Sequence, residues 1–144
     1  ILNNGATGTI NNSGTVTKTG AGNTTFSISF NNLEGADFGI NGGTITNQGT
    51  FTNSGNILFD GGIFSNTATL TILANSTVVG TGTINQTSGI LAVNASIGIP
   101  STVTLNLNGN LVVAAGQTLT INGTWTWNNG EVRGPGNIVI GEGG

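Results

Sequence analysis

The chain has 144 residues, one domain's worth, and only seven carry charge: Lys18, Arg133, Glu34, Asp37, Asp60, Glu131 and Glu142. Charged residues make up 5% of the chain against about 25% in ordinary globular domains, and neither Cys nor His occurs, which excludes disulfides, thiol catalysis and the common zinc sites. Two basic residues against five acidic ones cannot build a phosphate-neutralising surface, so no nucleic-acid partner is expected.

Gly, Asn and Thr together supply half of the chain, so its polarity comes from neutral hydrogen-bonding groups. No run approaches the roughly 18–20 apolar residues needed to span a bilayer, and the strands read as too short for a transmembrane barrel; no membrane insertion is expected. Met is absent, so residue 1 is read as the start of a mature or excised piece of a longer product.

Period-two alternation, the strand signature, runs through nearly every segment in chain order. From Thr9, residues Asn11, Ser13, Thr15 and Thr17 fall on one face, with Ile10, Asn12, Gly14 and Val16 on the other. Thr25 to Phe30 repeats the pattern with aromatic residues inside, followed by Thr44 to Thr52, Thr67 to Ile72, Thr102 to Leu107, Thr118 to Ile121 and Gly136 to Ile140. Turn pairs punctuate these runs at Asn31-Asn32, Gly42-Gly43, Ser54-Gly55, Gly61-Gly62, Asn108-Gly109 and Asn129-Gly130, where Gly and Asn accept positive φ cheaply. No helical periodicity is sustained, and the count comes to about eighteen short strands at the regular spacing of all-β folds.

One box recurs, Gly-Thr-apolar and then a second Gly six or seven residues on, and four of its copies are read as the repeat. It reads Gly8-Thr9-Ile10 to Gly14, Gly43-Thr44-Ile45 to Gly49, Gly82-Thr83-Ile84 to Gly89, and Gly123-Thr124-Trp125 to Gly130, with starts 35, 39 and 41 residues apart. Internal repeats in that range signal stacked architectures. The expected fold is therefore all-β, a right-handed parallel β-helix spanning residues 1–144 as a single domain, with about six three-strand coils of about 24 residues each. Ile10, Ile45, Ile84 and Trp125 are expected to form an inward row, and Asn at the turns to form amide ladders from coil to coil. The alternative is a β-sandwich, pilin-like domain, which would make the strands antiparallel and leave the boxes without a common stack.

Three sets of residues invite a functional reading. Glycoside hydrolysis needs two carboxylates about 5–10 Å apart, and stacking could bring Asp37 near Asp60, with Glu34 beside them; solvated turn residues are the simpler reading. Glu131 and Arg133 read as a surface ion pair. Five Thr-x-Thr units (Thr15 to Thr19, Thr50 to Thr52, Thr81 to Thr83, Thr118 to Thr120, Thr124 to Thr126) could order water as an ice-binding face if they fell in fixed register. Trp125 and Trp127 share a face and could stack on a sugar, but the box's inward position favours core filling. Six Asn-x-Ser/Thr sequons, at Asn11, Asn23, Asn75, Asn85, Asn94 and Asn122, permit glycosylation without arguing for it.

The run Asn12-Ser13-Gly14-Thr15-Val16-Thr17-Lys18-Thr19-Gly20-Ala21-Gly22, then Phe30-Asn31-Asn32 and Gly43-Thr44-Ile45, resembles repeats of very large secreted bacterial surface proteins. The closing Gly123-Thr124-Trp125-Thr126-Trp127-Asn128-Asn129-Gly130-Glu131-Val132-Arg133-Gly134-Pro135-Gly136 is similar to the Trp-rich ends of those repeats. The resemblance implies a β-helix of the filamentous-haemagglutinin and autotransporter-passenger kind, and brings no catalytic, cofactor or metal residues with it. The expectation is a non-enzymatic, extracellular stalk, filament or adhesin without cofactor, a module or subunit of a larger assembly with surface glycans as a candidate ligand. Its ends, Ile1-Leu2-Asn3-Asn4 and Ile138-Val139-Ile140, offer no cap, so end-to-end association with adjoining repeats or identical subunits is expected. An ice-binding solenoid and a polysaccharide-binding or polysaccharide-cleaving β-helix are the alternatives.

Overall fold

The computed structural model describes residues 8–142, and the Ile1-Leu2-Asn3-Asn4 end lies outside them. Eighteen strands follow one another with no helix among the described residues. The chain climbs coil by coil: β1 (Thr9–Asn12), β2 (Thr15–Thr19) and β3 (Asn23–Phe26); β4 (Ser29–Asn32), β5 (Asp37–Asn41) and β6 (Thr44–Asn47). The next two coils are β7 (Phe51–Asn53) with β8 (Asn56–Asn66), and β9 (Thr69–Ile72) with β10 (Thr77–Gln86). Above them come β11 (Ile90–Val93), β12 (Ile97–Ile99) and β13 (Val103–Leu107); β14 (Asn110–Val113), β15 (Thr118–Ile121) and β16 (Trp125–Trp127); and finally β17 (Val132–Arg133) and β18 (Asn137–Ile140).

All fifteen strand pairings among the described residues are parallel, as stacked coils require and a sandwich forbids. The fold is a β-solenoid with three faces. The first is the seven-stranded ladder β1-β4-β7-β9-β11-β14-β17. The second runs through β2, β5 and the first halves of β8 and β10, and continues in β12, β15 and β18. The third is β3, β6, the second halves of β8 and β10, then β13 and β16. β8 and β10 bend through the corner between the last two faces at Gly61, with φ 76°, and Gly80, with φ 95°, angles that a side chain would strain.

Register sets the coil length. On the first face Ile10, Phe30, Phe51, Leu70, Leu91, Leu111 and Val132 stand above one another, 19–21 residues apart. The expected coil of about 24 residues is therefore too long: it assumes one strand per face, whereas β8 and β10 each cross two faces. Gly43-Thr44-Ile45, Gly82-Thr83-Ile84 and Gly123-Thr124-Trp125 all lie on the third face, in every second coil, so their spacings of 39 and 41 measure two coils. The coils between carry Ile63-Phe64 and Thr104-Leu105 in the same register. Gly8-Thr9-Ile10 belongs to the first face, which is why its spacing of 35 fits neither one coil nor two. Ile10 thus leaves the expected inward row, and Thr24, Ile45, Phe64, Ile84, Leu105 and Trp125 make it up.

The core changes character along the axis. In the lower coils it is aromatic: Phe51 stacks on Phe30 at 5.0 Å and an interplanar angle of 5°, with Phe38 and Phe64 packed against it at 4.9 and 5.0 Å. Two buried amide ladders flank this cluster, as the turn asparagines led us to expect. One runs Asn12 to Asn32 to Asn53, each side-chain Nδ2 donating 2.8 Å upward to the next Oδ1. The other runs Asn47 to Asn66 to Gln86 at 2.6 and 3.1 Å. Higher up the same columns become aliphatic, Asn53 being followed by Ile72, Val93 and Val113, and Gln86 by Leu107. Buried amides are tolerable only when partnered, and stacking at the coil repeat supplies the partners.

Candidate functional surface

The carboxylates do not form a pair. Asp37 stands in register with Asn56, whose Nδ2 donates to Asp37 Oδ1 at 2.8 Å, and Asp60 lies four residues further along the same strand as Asn56. One rung and four residues of strand put Asp37 and Asp60 about 14 Å apart, beyond the 5–10 Å that glycoside hydrolysis uses. The expectation that stacking brings them together is corrected by register. Glu34 is exposed in the turn between the first two faces. Among the described residues no three Asp, Glu, His or Cys gather where they could hold a metal ion. Arg133 Nη1 donates to Glu131 Oε2 at 3.2 Å on open surface, the bland ion pair expected for those two.

Lys18 falls on the inward face of β2 with Val16. It stands in register with Ile40, which in turn stands below Phe59, both buried in the core, and its ammonium turns back to donate to the carbonyls of Thr19 and Gly20 at 3.0 and 2.6 Å.

Trp125 continues the column of Ile84 and Leu105 and packs against the core, as its place in the box predicts. Trp127 stacks parallel on it at 6.1 Å but stays 54% exposed, its indole N–H held by the carbonyls of Asn129 and Gly130 at 3.0 and 3.3 Å. Among the sequons, the side chains of Asn11, Asn23 and Asn85 accept hydrogen bonds from Asn31, Thr46 and Asn106. Asn75 and Asn94 are exposed beyond strand ends, Asn75 with φ 67°.

The Thr-x-Thr units scatter. Thr15 to Thr19 and Thr118 to Thr120 lie on the second face, Thr50 to Thr52 on the first, Thr124 to Thr126 on the third, and Thr81 to Thr83 straddles a corner. What does fall in register is a pattern visible only with the coil length known. On the third face one outward column reads Asn23, Thr44, Ile63, Thr83, Thr104, Thr124. Its neighbour reads Thr25, Thr46, Ser65, Asn85, Asn106, Thr126. Rungs are about 4.8 Å apart along the axis and the columns about 6.6 Å apart across it, the spacing of alternate residues on a strand. Comparison with known proteins adds no name to this surface: no family model matches the chain, and no curated protein or solved structure matches it.

Proposed function

We propose that the chain is a non-enzymatic structural and adhesive β-solenoid, part of an extracellular stalk, filament or adhesin. The observation that carries this reading is the unbroken parallel ladder on the first face, in which seven strands pair from Thr9 to Arg133 with no gap. Backbone hydrogen bonds run along the axis of such a stack, and a rod whose repeats hold only their neighbours resists bending and proteolysis without any active site. The resemblance of the Gly-Thr-apolar and Trp-rich segments to bacterial surface repeats supports the extracellular setting.

The partner we propose is another coil, from an adjoining repeat or a second copy, seated end to end. Trp127, Val139 and Ile140, on the last described strands of the third and second faces, are exposed and apolar in the manner of a surface awaiting a neighbour. Surface glycans remain the adhesive ligand class to be tried. Electron micrographs and sedimentation of the purified chain test the reading. Rods or end-joined filaments are expected; compact globules that stay monomeric at high concentration, or turnover of a polysaccharide, would overturn it.

A further inference from the structure

We infer that the third face is an ice-binding surface. This goes beyond the role as a rod and does not depend on it. The two outward columns of the third face place hydroxyls, methyls and amides on a two-dimensional grid through six rungs. Thr is stiff at χ1, so each hydroxyl and methyl is held in place before any water arrives. The amides are also fixed, Asn106 Nδ2 donating to Asn85 Oδ1 at 2.8 Å along the column.

A second observation is where the charges are. Lys18, Asp37 and Asp60 lie on the second face, Glu34 at the corner before it, Glu131 and Arg133 on the first face or its approach, and Glu142 beyond β18. None of the chain's seven charged residues enters the third face. Ions hold their own hydration shells and break up a regular water layer, so a face that must order water excludes them. A neutral polysaccharide is the competing ligand. Sugar rings are gripped by stacking on exposed aromatic faces, and no aromatic residue stands in either outward column. Ordered water is therefore the ligand the grid suits.

The test uses the intact chain and single ice crystals grown in its presence. The wild type is expected to facet the crystals and to open a gap between melting and freezing. Thr83→Tyr and Thr104→Tyr, on adjacent rungs, should abolish that gap with unchanged circular dichroism, and the near-isosteric Thr104→Val should reduce it without disturbing the fold. Thr71→Tyr, on the first face, should leave it intact. Absence of any gap in the folded wild type overturns the inference, as does equal loss in Thr71→Tyr. Retention on insoluble neutral polysaccharide with no effect on ice also overturns it and reassigns the face to glycan.

Discussion

Asn47 donates its side-chain amide to Asn66 at 2.6 Å, but its own Oδ1, fully buried, receives no hydrogen bond among the described residues. The ladder is directional, so its lowest member lacks a donor beneath it while each higher member is supplied from below. Asn66, in the middle, accepts from Asn47 and donates to Gln86 and to the Ala68 carbonyl. Asn66→Ala breaks all three bonds and orphans the Gln86 acceptor, a loss of about 1–3 kcal/mol for that group before any cavity is counted. Asn47→Ala breaks fewer bonds and removes an acceptor that was already unpartnered, so it should cost less. Midpoints of guanidinium unfolding for the two variants check the order.

Gly123, which opens the last box, serves a steric purpose that differs from turn flexibility. A Cβ added at Gly123 would sit 2.0 Å from the Val103 carbonyl oxygen and 2.5 Å from that of Pro100, because the backbone of the coil below passes directly beneath. Gly98 meets nothing within 4 Å and lies outside the left-handed region. Gly98→Ala should therefore be neutral or stabilise by up to about 1 kcal/mol, by restricting the unfolded chain. Gly123→Ala should destabilise by about 1–3 kcal/mol or more, as forced overpacking does. Thermal melts of the pair separate the two roles.

Strand count was legible from alternation, parallel stacking from the repeated Gly-Thr-apolar box, and the amide ladders from Asn at the turns. Coil length was not, because β8 and β10 each run through two faces as one strand, and because Ile63-Phe64 and Val103-Thr104-Leu105 fill the box's place in alternate coils without its Gly-Thr signature. Misjudging that length hid the third-face grid: Thr44 to Thr46 and Thr124 to Thr126 read as Thr-x-Thr, but the rungs between them carry Ile63 with Ser65, Thr83 with Asn85 and Thr104 with Asn106. Alternation puts Lys18 on the face of Val16, but that this face continues as a core column is set by Ile40 and Phe59 in later coils.

Phe51 sits among Phe30, Phe38 and Phe64 at 4.9–5.0 Å, and its ring is fully buried. Truncation to Ala should cost about 3–5 kcal/mol. A stack of coils that hold only their neighbours spreads that loss unevenly. In Phe51→Ala, circular dichroism should therefore begin to fall before the fluorescence of Trp125 and Trp127, which report on the far end. Coincident transitions in the variant would show that the coils unfold as one unit despite their different cores.

Phe26 offers the sharpest test of the ladder, because it stands in register directly below Asn47 and closes off the position from which a donor would come. Its ring stacks on Phe30 at 5.4 Å, so removing it carries a packing cost whatever replaces it. Phe26→Ala incurs that cost and leaves Asn47 Oδ1 unpartnered. Phe26→Asn incurs much the same packing loss but places an amide where it can donate upward, lengthening the ladder by one rung. The Asn variant should therefore be more stable than the Ala variant by about 1 kcal/mol, the net worth of a hydrogen bond. In an Asn47→Ala background the difference should vanish or reverse, since an extra buried amide then has nothing to pair with. If Phe26→Asn is no better than Phe26→Ala when Asn47 is present, the unpartnered acceptor is satisfied by other means and the directional ladder is not what sets stability at this column.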